Sequence, residues 1–285
     1  MGGFENIRFK DRYLSDTEKA KLKERILTNC DKVKIRRIPP KRNYRPLWYA
    51  ALFLLICGLS ILFSLEQNPT RREIAEVWVS VSAPRGTTKT VQLPDGTRIR
   101  LNADTKLEYL QGFSQRRVRL VNGEAYFDVA KDSLRPFSLK ITESGRLRVL
   151  GTAFNVRAYS DDPVVSLVHG RVAVGSFSDG RETILDPMRQ ISLASGAEVR
   201  RFNLRSVTGW KDGDLYYEDK PLEKVLEDLE RTYDAEFLKN PEFDGKKLYT
   251  GSLLIKKHLD NVLVGLSYTT GLTFERLGDK RFRVK

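Results

Sequence analysis

The two histidines are the first residues to test for catalysis, because imidazole is the commonest general base near neutral pH. His169 ends an apolar run and His258 precedes a helical pattern, so they fall in different predicted units. Each is better explained as a turn or capping residue than as a catalytic base. The sequence also lacks a glycine-rich phosphate loop, a G-x-S-x-G elbow and a cysteine–histidine zinc spacing. We therefore predict that the protein is not an enzyme and uses no cofactor.

Two charged clusters partly match binding motifs, and both fail as functional sites. Asp212, Asp214 and Glu223 occupy positions 1, 3 and 12 of a calcium loop, but Tyr217 stands at position 6, where the loop needs glycine. In the basic run 116–119, strand alternation places two arginines on one face, as expected of a solvated sheet. Neither cluster predicts a metal or nucleic-acid site.

An apolar run from Pro46 to Leu65 carries no carboxylate or amine side chain and predicts a membrane span. About 20 helical residues match the ~30 Å hydrocarbon core of a bilayer. Trp48 and Tyr49 stand where an interfacial aromatic belt would hold them. A cleaved signal peptide would lie nearer the start and end in a small-residue cleavage site, which this run lacks. We predict a single transmembrane helix over residues 46–65.

Basic residues flank this run unequally, with seven Lys/Arg in the twenty preceding positions and three in the twenty that follow. The positive-inside rule therefore predicts a cytoplasmic N-terminus and an exported C-terminus. The tail, residues 1–45, carries +8 of the whole-chain +13, so topology explains most of the basic excess and no nucleic-acid partner is predicted. Cys30 and Cys57 both precede the body, residues 66–285, which has no disulfide. We expect a bacterial inner membrane with a periplasmic body.

The tail contains one predicted helix. Ser15 and Glu18 have the spacing of a capping box, and a stripe of Leu22, Ile26 and Leu27 follows, up to about Cys30. A single helix with three apolar residues cannot form a core of its own. Three interpretations stay open: a disordered segment, a helix that folds against a partner, and a solvated charged tail.

The first part of the body, residues 66–205, has alternating apolar residues at a period of two. Glycine, aspartate and asparagine turns separate short predicted strands, including a hairpin at Asp95-Gly96 and a turn at Asn122-Gly123. This pattern predicts a mainly β domain, an antiparallel sandwich or solenoid, with a barrel as a further possibility. We call these residues the β domain.

The remainder, residues 206–285, combines short strands with two amphipathic helices and is called the C-terminal domain. Pro221 starts one helix, and Gly271 ends the other. A terminal hairpin is expected around Gly278-Asp279. The element order β-α-β-β-α-β-β predicts a small α+β domain, with one sheet and both helices on one of its faces.

Several ordered segments of the body resemble the FecR family of transmembrane sigma-factor regulators. They include PDGT at 94–97, GEAYFDV at 123–129 and LGTAFNV at 150–156, while the Trp210-Lys211-Asp212-Gly213 segment looks like the C-terminal domain of Bacteroidetes-type members. The glycines and aromatic residues among these motifs fit turn and core positions better than active-site roles. The motif residues are Asp95, Gly96, Asn102, Gly123, Glu124, Phe127, Gly151, Thr152, Phe154, Asn155 and Trp210.

The resemblance implies that the tail holds an extracytoplasmic-function sigma factor, contacted by Leu22, Arg25, Ile26 and Leu27 of its helix. It also implies that the body receives a signal from the signalling domain of a TonB-dependent outer-membrane transporter. The tail has one helix where longer members have several, which favours folding on binding. Two alternatives stay open: a membrane-anchored periplasmic binding or scaffold module without a sigma partner and, less favoured, a membrane-tethered enzyme.

Overall fold

The structure is a computed structural model that describes residues 15–30, 49, 52–60, 76–176, 182–193 and 198–285. The chain forms two compact units, Met1–Arg72 and Glu73–Lys285. In the first unit, α1 spans Asp16–Cys30, and residues 52–60 are helical. Residue 49 is also described, and the other positions of the predicted span lie outside the described residues. Within the described part of the chain, no helix is long and apolar enough to cross a membrane.

Helix α1 begins where the capping box predicts. The backbone N–H of Ser15 donates to the carboxylate of Glu18 at 3.1 Å, and the N–H of Glu18 donates to the carbonyl of Ser15 at 2.9 Å. These bonds satisfy donors that a helix start otherwise leaves unpaired. The predicted stripe of Leu22, Ile26 and Leu27 is 50–61% exposed. The predicted helix is confirmed, and it presents an apolar face.

The β domain is a continuous hydrogen-bonded arrangement of thirteen strands, counted over the described residues of the second unit. The strands are β1 Trp78–Ala83, β2 Lys89–Gln92, β3 Arg98–Leu101, β4 Thr105–Leu110, β5 Arg117–Asp128, β6 Phe137–Ile141, β7 Gly145–Val149, β8 Ala153–Ala158, β9 Val164–His169, β10 Val172–Ser176, β11 Glu182–Leu185, β12 Arg189–Ser192 and β13 Val199–Arg201. The order is β11-β10-β7-β6-β5-β8-β9-β12-β13, with β3 and β4 also paired to β5. The mainly β prediction is confirmed, but β5 and β6 run parallel, which the antiparallel prediction missed.

Strand β5 connects two layers of this arrangement. Its first half pairs with β4 and β6, and its second half pairs with β3 and β8. Gly123 lies between the halves with φ 106°, and a Cβ there would lie 2.5 Å from the Cα of Thr105. The Thr105 hydroxyl accepts from the N–H of Glu124 at 3.0 Å and donates to its carbonyl at 3.2 Å. The predicted turn at Asn122-Gly123 is therefore wrong: the chain makes a bulge there, and β5 continues.

The inward side chains of both layers share one core. Phe127 and Phe154 stack with ring centroids 4.8 Å apart because the β5–β8 register places them opposite each other. Phe137 meets Phe127 edge-on at 6.2 Å. All three rings are fully buried, and truncation of such a ring to alanine typically costs about 3–5 kcal/mol. Two of the family motif residues therefore lie at the centre of the core.

The C-terminal domain confirms the predicted element order. After α2 (Leu204–Thr208) and a 3₁₀ turn (Gly209–Asp212) come β14 Asp214–Pro221, α3 Leu222–Tyr233, β15 Glu236–Lys239, β16 Leu248–Leu254, α4 Leu259–Thr270, β17 Phe274–Gly278 and β18 Arg281–Val284. The predicted single sheet is wrong. Among the described strands, β14 pairs only with β16, while β15, β18 and β17 form a separate sheet. Side chains of both helices and both sheets share a second core, which includes Leu226, Leu263 and Val284.

Helix α3 is strongly amphipathic and is capped by Asp234, which adopts a left-handed conformation (φ 54°) and donates its N–H to the carbonyl of Glu230. Its apolar stripe includes Leu226 and Leu229, both fully buried. Asp228 is buried on the same helix. A carboxylate in that position needs a cationic partner, because burial of an unpaired charge is costly.

Candidate functional site

The partners of Asp228 come from both domains. Its carboxylate accepts from Arg157 Nη2 at 2.5 Å, from the guanidinium of Arg231 and from the hydroxyl of Tyr217 at 3.4 Å. Arg157 lies on β8 of the β domain, whereas the other two residues belong to the C-terminal domain. The ion pair between Arg157 and Asp228 therefore joins the two domains. We call this pair, together with the other contacts between the two domains around it, the domain junction.

Burial and neighbouring charges set the protonation states of the ionisable side chains at the junction. Burial alone would raise the pKa of Asp228, but Arg157 and Arg231 more than offset it, so the pKa lies below its usual value. Burial lowers the pKa of Arg157, and the negative charges of Asp228 and Glu124 raise it further than burial lowers it. Burial and the nearby Asp228 charge raise the pKa of Tyr217. The ion pair is therefore charged, and its tyrosine is neutral, throughout the physiological pH range.

Glu124 is the second carboxylate of the junction and brings three family motif residues together. It is 4% exposed, and it accepts from Asn102 Nδ2 at 2.9 Å, Asn155 Nδ2 at 2.9 Å and Arg157 Nη1 at 3.0 Å. The bulge in β5 and the β5–β8 register place Glu124 opposite Arg157. Arg157 thus bridges two carboxylates, one from each domain.

Aromatic side chains border this ion network. Trp210 is buried, and its indole N–H donates to Asn155 Oδ1 at 3.4 Å. Lys211 lies 3.5 Å from the ring centroid of Tyr126 on β5. The guanidinium of Arg231 lies 4.2 Å from the ring centroid of Tyr159, which follows β8. Cation–π contacts of this kind add about 0.5–2 kcal/mol each, so the 3₁₀ turn and α3 are both fixed to the β domain.

A second contact lies at the C-terminal end of α3. The N–H of Gly86 donates to the carbonyl of Arg231 at 2.8 Å, and Arg85 Nη2 donates to the carbonyl of Ala235 at 3.1 Å. Arg85 also lies 3.6 Å from the carboxylate of Asp234. The loop after β1 therefore satisfies carbonyls that the end of α3 leaves free.

A polar cleft of about 470 Å³ opens beside the junction, lined by both domains. Glu124, Arg157 and Asp228 form part of its wall, and Lys220 of β14 faces it. Burial and the nearby Arg157 charge lower the pKa of Lys220. The volume suits a small ligand, but Glu124, Arg157 and Asp228 of the wall are already paired with one another.

Asp95 and Gly96 lie at the predicted β2–β3 hairpin, which is confirmed, and Asp95 pairs with Arg116, for which the sequence predicted no separate role. Arg116 is 2% exposed, its guanidinium lies 2.7 Å from the Asp95 carboxylate, and it donates to the carbonyls of Ala130 and Arg135 at 2.6 and 2.9 Å. In the sequence, Arg116 is one member of a basic run, and nothing local distinguishes a buried arginine from a solvated one.

The other arginines of that run share one face, as predicted, but the face is partly covered. Arg119 lies 3.6 Å and Arg117 lies 5.8 Å from the ring centroid of Trp78. Both arginines are half-buried, so the predicted solvated face is partly covered by the indole of Trp78.

The remaining predicted residues lie away from the junction. Gly151 and Thr152 lie between β7 and β8, where Thr152 donates its hydroxyl to the carbonyl of Arg171 at 3.1 Å. His169 ends β9, and His258 holds the N-cap position of α4, as expected of turn and capping residues. Among the residues that the structure describes, no cluster of three His, Cys, Asp or Glu side chains could hold a metal ion. Leu22, Arg25, Ile26 and Leu27 lie exposed on α1, in the other unit.

The fold and the junction define a two-domain body, and comparisons with known proteins place it in a family. Residues 80–173 match the family described as FecR protein, and residues 214–284 match the family described as FecR, C-terminal. No curated protein sequence matches the chain. The fold is similar to two crystal structures, at 1.65 and 2.50 Å resolution, of a candidate anti-sigma factor from Parabacteroides distasonis ATCC 8503.

Each of these structures is 31% identical to this chain, with a TM-score of 0.65, over 73% of this chain and 98% of the solved one. The resemblance predicted from the sequence motifs is therefore confirmed. The chain belongs to the FecR family.

Proposed function

We propose that this protein is a single-pass inner-membrane sigma-factor regulator, which passes a periplasmic signal to an extracytoplasmic-function sigma factor. Three findings support the proposal: membership of the FecR family, the similarity to a candidate anti-sigma factor, and a tail helix with an exposed apolar face. The proposed function depends on binding to other proteins, and it needs no cofactor.

The observation that carries the proposal is the exposed apolar face of α1. The helix begins with the Ser15–Glu18 capping bond, yet Leu22, Ile26 and Leu27 are each at least half exposed. Full burial of each such side chain contributes roughly 1.5–3 kcal/mol. One isolated helix of 15 residues is marginal in water, so a partner that covers this face would stabilise the helix while binding it. Arg25 lies beside the stripe and would contact the rim of the same interface.

The membrane placement is part of the proposal and rests on the sequence. The apolar run 46–65, with seven basic residues before it and three after it, favours a cytoplasmic tail and a periplasmic body. The body would then meet the signalling domain of a TonB-dependent outer-membrane transporter. Its C-terminal domain has a short sheet edge at β17, which suits pairing with a partner strand.

The test is co-purification of the full chain with the candidate sigma factor after Leu22→Asp, Ile26→Asp and Leu27→Asp are introduced together. We expect sigma binding to be lost, because three charges would replace the apolar stripe. The matched control introduces Thr17→Asp, Lys21→Asp and Thr28→Asp, which lie on the opposite side of the helix at 100° per residue, and should retain binding.

Two measurements complete this test. Circular dichroism of tail peptides in trifluoroethanol checks that both triple variants keep the same capacity for helix formation. A transcriptional reporter for the sigma factor checks that loss of binding changes expression. Unchanged sigma retention by the apolar-face variant would refute the assignment of α1 and favour a periplasmic scaffold without a sigma partner.

A further inference from the structure

An apolar cleft of about 440 Å³ lies on the outer face of the β domain, away from the domain junction. Its floor is formed by the neighbouring strands β7, β10 and β11, where Ala173 pairs with Arg148 on one side and with Ile184 on the other. The 131–136 loop and the β7–β8 connection form its walls, contributing Pro136 and Leu150. The two walls are joined by a hydrogen bond from the N–H of Asp132 to the carbonyl of Leu150 at 2.8 Å.

Apolar side chains are exposed both on this sheet face and on the two loops that border it. Ile184 is 65% exposed and Leu150 is 48% exposed, and Leu134, at the top of the adjacent loop, is 91% exposed. Alternation on an antiparallel sheet normally puts polar residues on the outer face. A contiguous apolar patch on an otherwise polar surface marks an interaction site.

The charge around the cleft is of one sign. Among the residues that the structure describes, Lys131, Arg148 and Arg171 line it, and no acidic side chain does. Over the described residues, these three cations form no ion pair, whereas Arg135 close by is paired with Asp132 at 2.8 Å. An apolar centre with a charged, solvated rim is the usual anatomy of a protein interface. A partner that binds at these unpaired cations must therefore carry negative charge.

The same charge excludes two other occupants. A second copy of this chain would bring no net negative charge, because the body is itself net positive (+13 for the whole chain, of which residues 1–45 hold +8). The tail is more basic still and cannot complement the rim. Leu134, in the loop that forms one wall, is 91% exposed and adds apolar surface outside the cleft.

We propose that this cleft docks an acidic polypeptide segment of a partner protein. The segment inserts a bulky apolar side chain between Pro136, Leu150 and Ile184, and it places carboxylates against Lys131, Arg148 and Arg171. Electrostatic complementarity of this kind raises the association rate and selects the partner. The proposal concerns the body alone and does not depend on sigma-factor binding by α1.

The experiment selects ligands from a phage-displayed library of random peptides of about 12 residues, using the full chain in phosphatidylcholine nanodiscs as bait and empty nanodiscs for counter-selection. We expect enriched peptides to carry a leucine, isoleucine or phenylalanine flanked by aspartate or glutamate. The affinity of the enriched peptides is then measured by fluorescence anisotropy against a rim variant with Lys131→Glu, Arg148→Glu and Arg171→Glu. We expect it to fall roughly ten- to hundred-fold, and the binding to weaken as salt rises.

The matched control reverses three exposed cations outside the cleft, with Arg98→Glu, Lys246→Glu and Lys257→Glu. It should change the affinity less than about three-fold, which separates a local contact from a general effect of net charge. Thermal melts verify that both variants are folded, and Ile184→Ser tests the apolar contact without any change of charge.

Three outcomes would overturn the proposal. The first is enrichment of peptides without acidic residues, and the second is equal affinity for the rim variant and for the wild type. The third is failure to enrich any peptide while dodecyl phosphate binds saturably and loses binding in the rim variant. That result would assign the cleft to a small anionic amphiphile instead of a polypeptide.

Discussion

The ion pairs at the domain junction predict a loss of stability in the Asp228→Asn variant. Asparagine keeps the size of the side chain and one carbonyl acceptor, but it removes the negative charge that faces Arg157 and Arg231. Arg157 then keeps Glu124 as its carboxylate partner, whereas Arg231 loses the carboxylate with which it pairs. We expect the C-terminal domain to lose stability and to loosen from the β domain.

The size of the effect follows from the geometry. Removal of one partner from a buried ion pair costs about 3–5 kcal/mol. The side chain of Arg157 is 31% exposed, and Glu124 stays 3.0 Å from it, so part of the charge balance survives. The carbonyl retained by asparagine keeps about 1 kcal/mol of hydrogen bonding. We therefore expect a loss of about 2–3 kcal/mol, a large share of the roughly 5–15 kcal/mol that stabilises a typical domain.

The assay is urea unfolding of the full chain, followed by the fluorescence of Trp210 at the junction after Trp48→Phe and Trp78→Phe remove the other two indoles. Glu227→Gln is the control, because Glu227 lies on the same helix in an exposed pair with Lys224 at 2.9 Å. Exposed pairs of this kind contribute about 0.5 kcal/mol or less. Equal losses in the two variants, or a loss below about 0.5 kcal/mol for Asp228→Asn, would refute the structural role of the buried pair.

Three further predictions use the same measurement of unfolding free energy. Gly123→Ala should cost more than about 2 kcal/mol, because a Cβ there collides with the neighbouring strand, whereas Gly112→Ala, with a positive φ but open space, should cost about 1 kcal/mol. Arg116→Met should lower the free energy of unfolding by about 3–5 kcal/mol, because it leaves the buried carboxylate of Asp95 without its cationic partner. A loss below about 1 kcal/mol would contradict that account. Because the folded pKa of Asp228 is lowered, its contribution is complete above the unfolded pKa of about 3.9 and is lost as pH falls through the folded value. Stability measured from pH 6 to pH 2 should therefore fall more steeply for the wild type than for Asp228→Asn, and parallel curves would count against this assignment.

Local signals in the sequence were sufficient for much of the fold. The capping box at Ser15, the hairpin at Asp95-Gly96 and the glycine cap at Gly271 depend on residues a few positions apart, and all three are confirmed. The amphipathic period of α3 was equally clear, because its buried positions recur every three to four residues.

The errors concern interactions between residues that are distant in sequence. Gly123 fits a turn as well as a bulge, and only its close approach to Thr105 on β4 decides between the two. The C-terminal strands divide into two sheets because β15 pairs with β18, more than 40 positions away. Arg157 and Asp228 are 71 positions apart and have no shared motif. Their pairing, and hence the domain junction, had no local signature.

The motif residues Asn102, Glu124 and Asn155 acquire a common explanation from the junction. Glu124 holds both asparagines within the β domain, and it also balances Arg157, which reaches across to Asp228 on α3. A displacement of α3 must therefore break or move the Arg157 contact, which changes the charge balance at Glu124. Glu124 follows the bulge in β5, and β5 is the strand that connects both layers of the β domain. Through Arg157, Glu124 therefore links α3 of the C-terminal domain to the strand that connects both layers of the β domain.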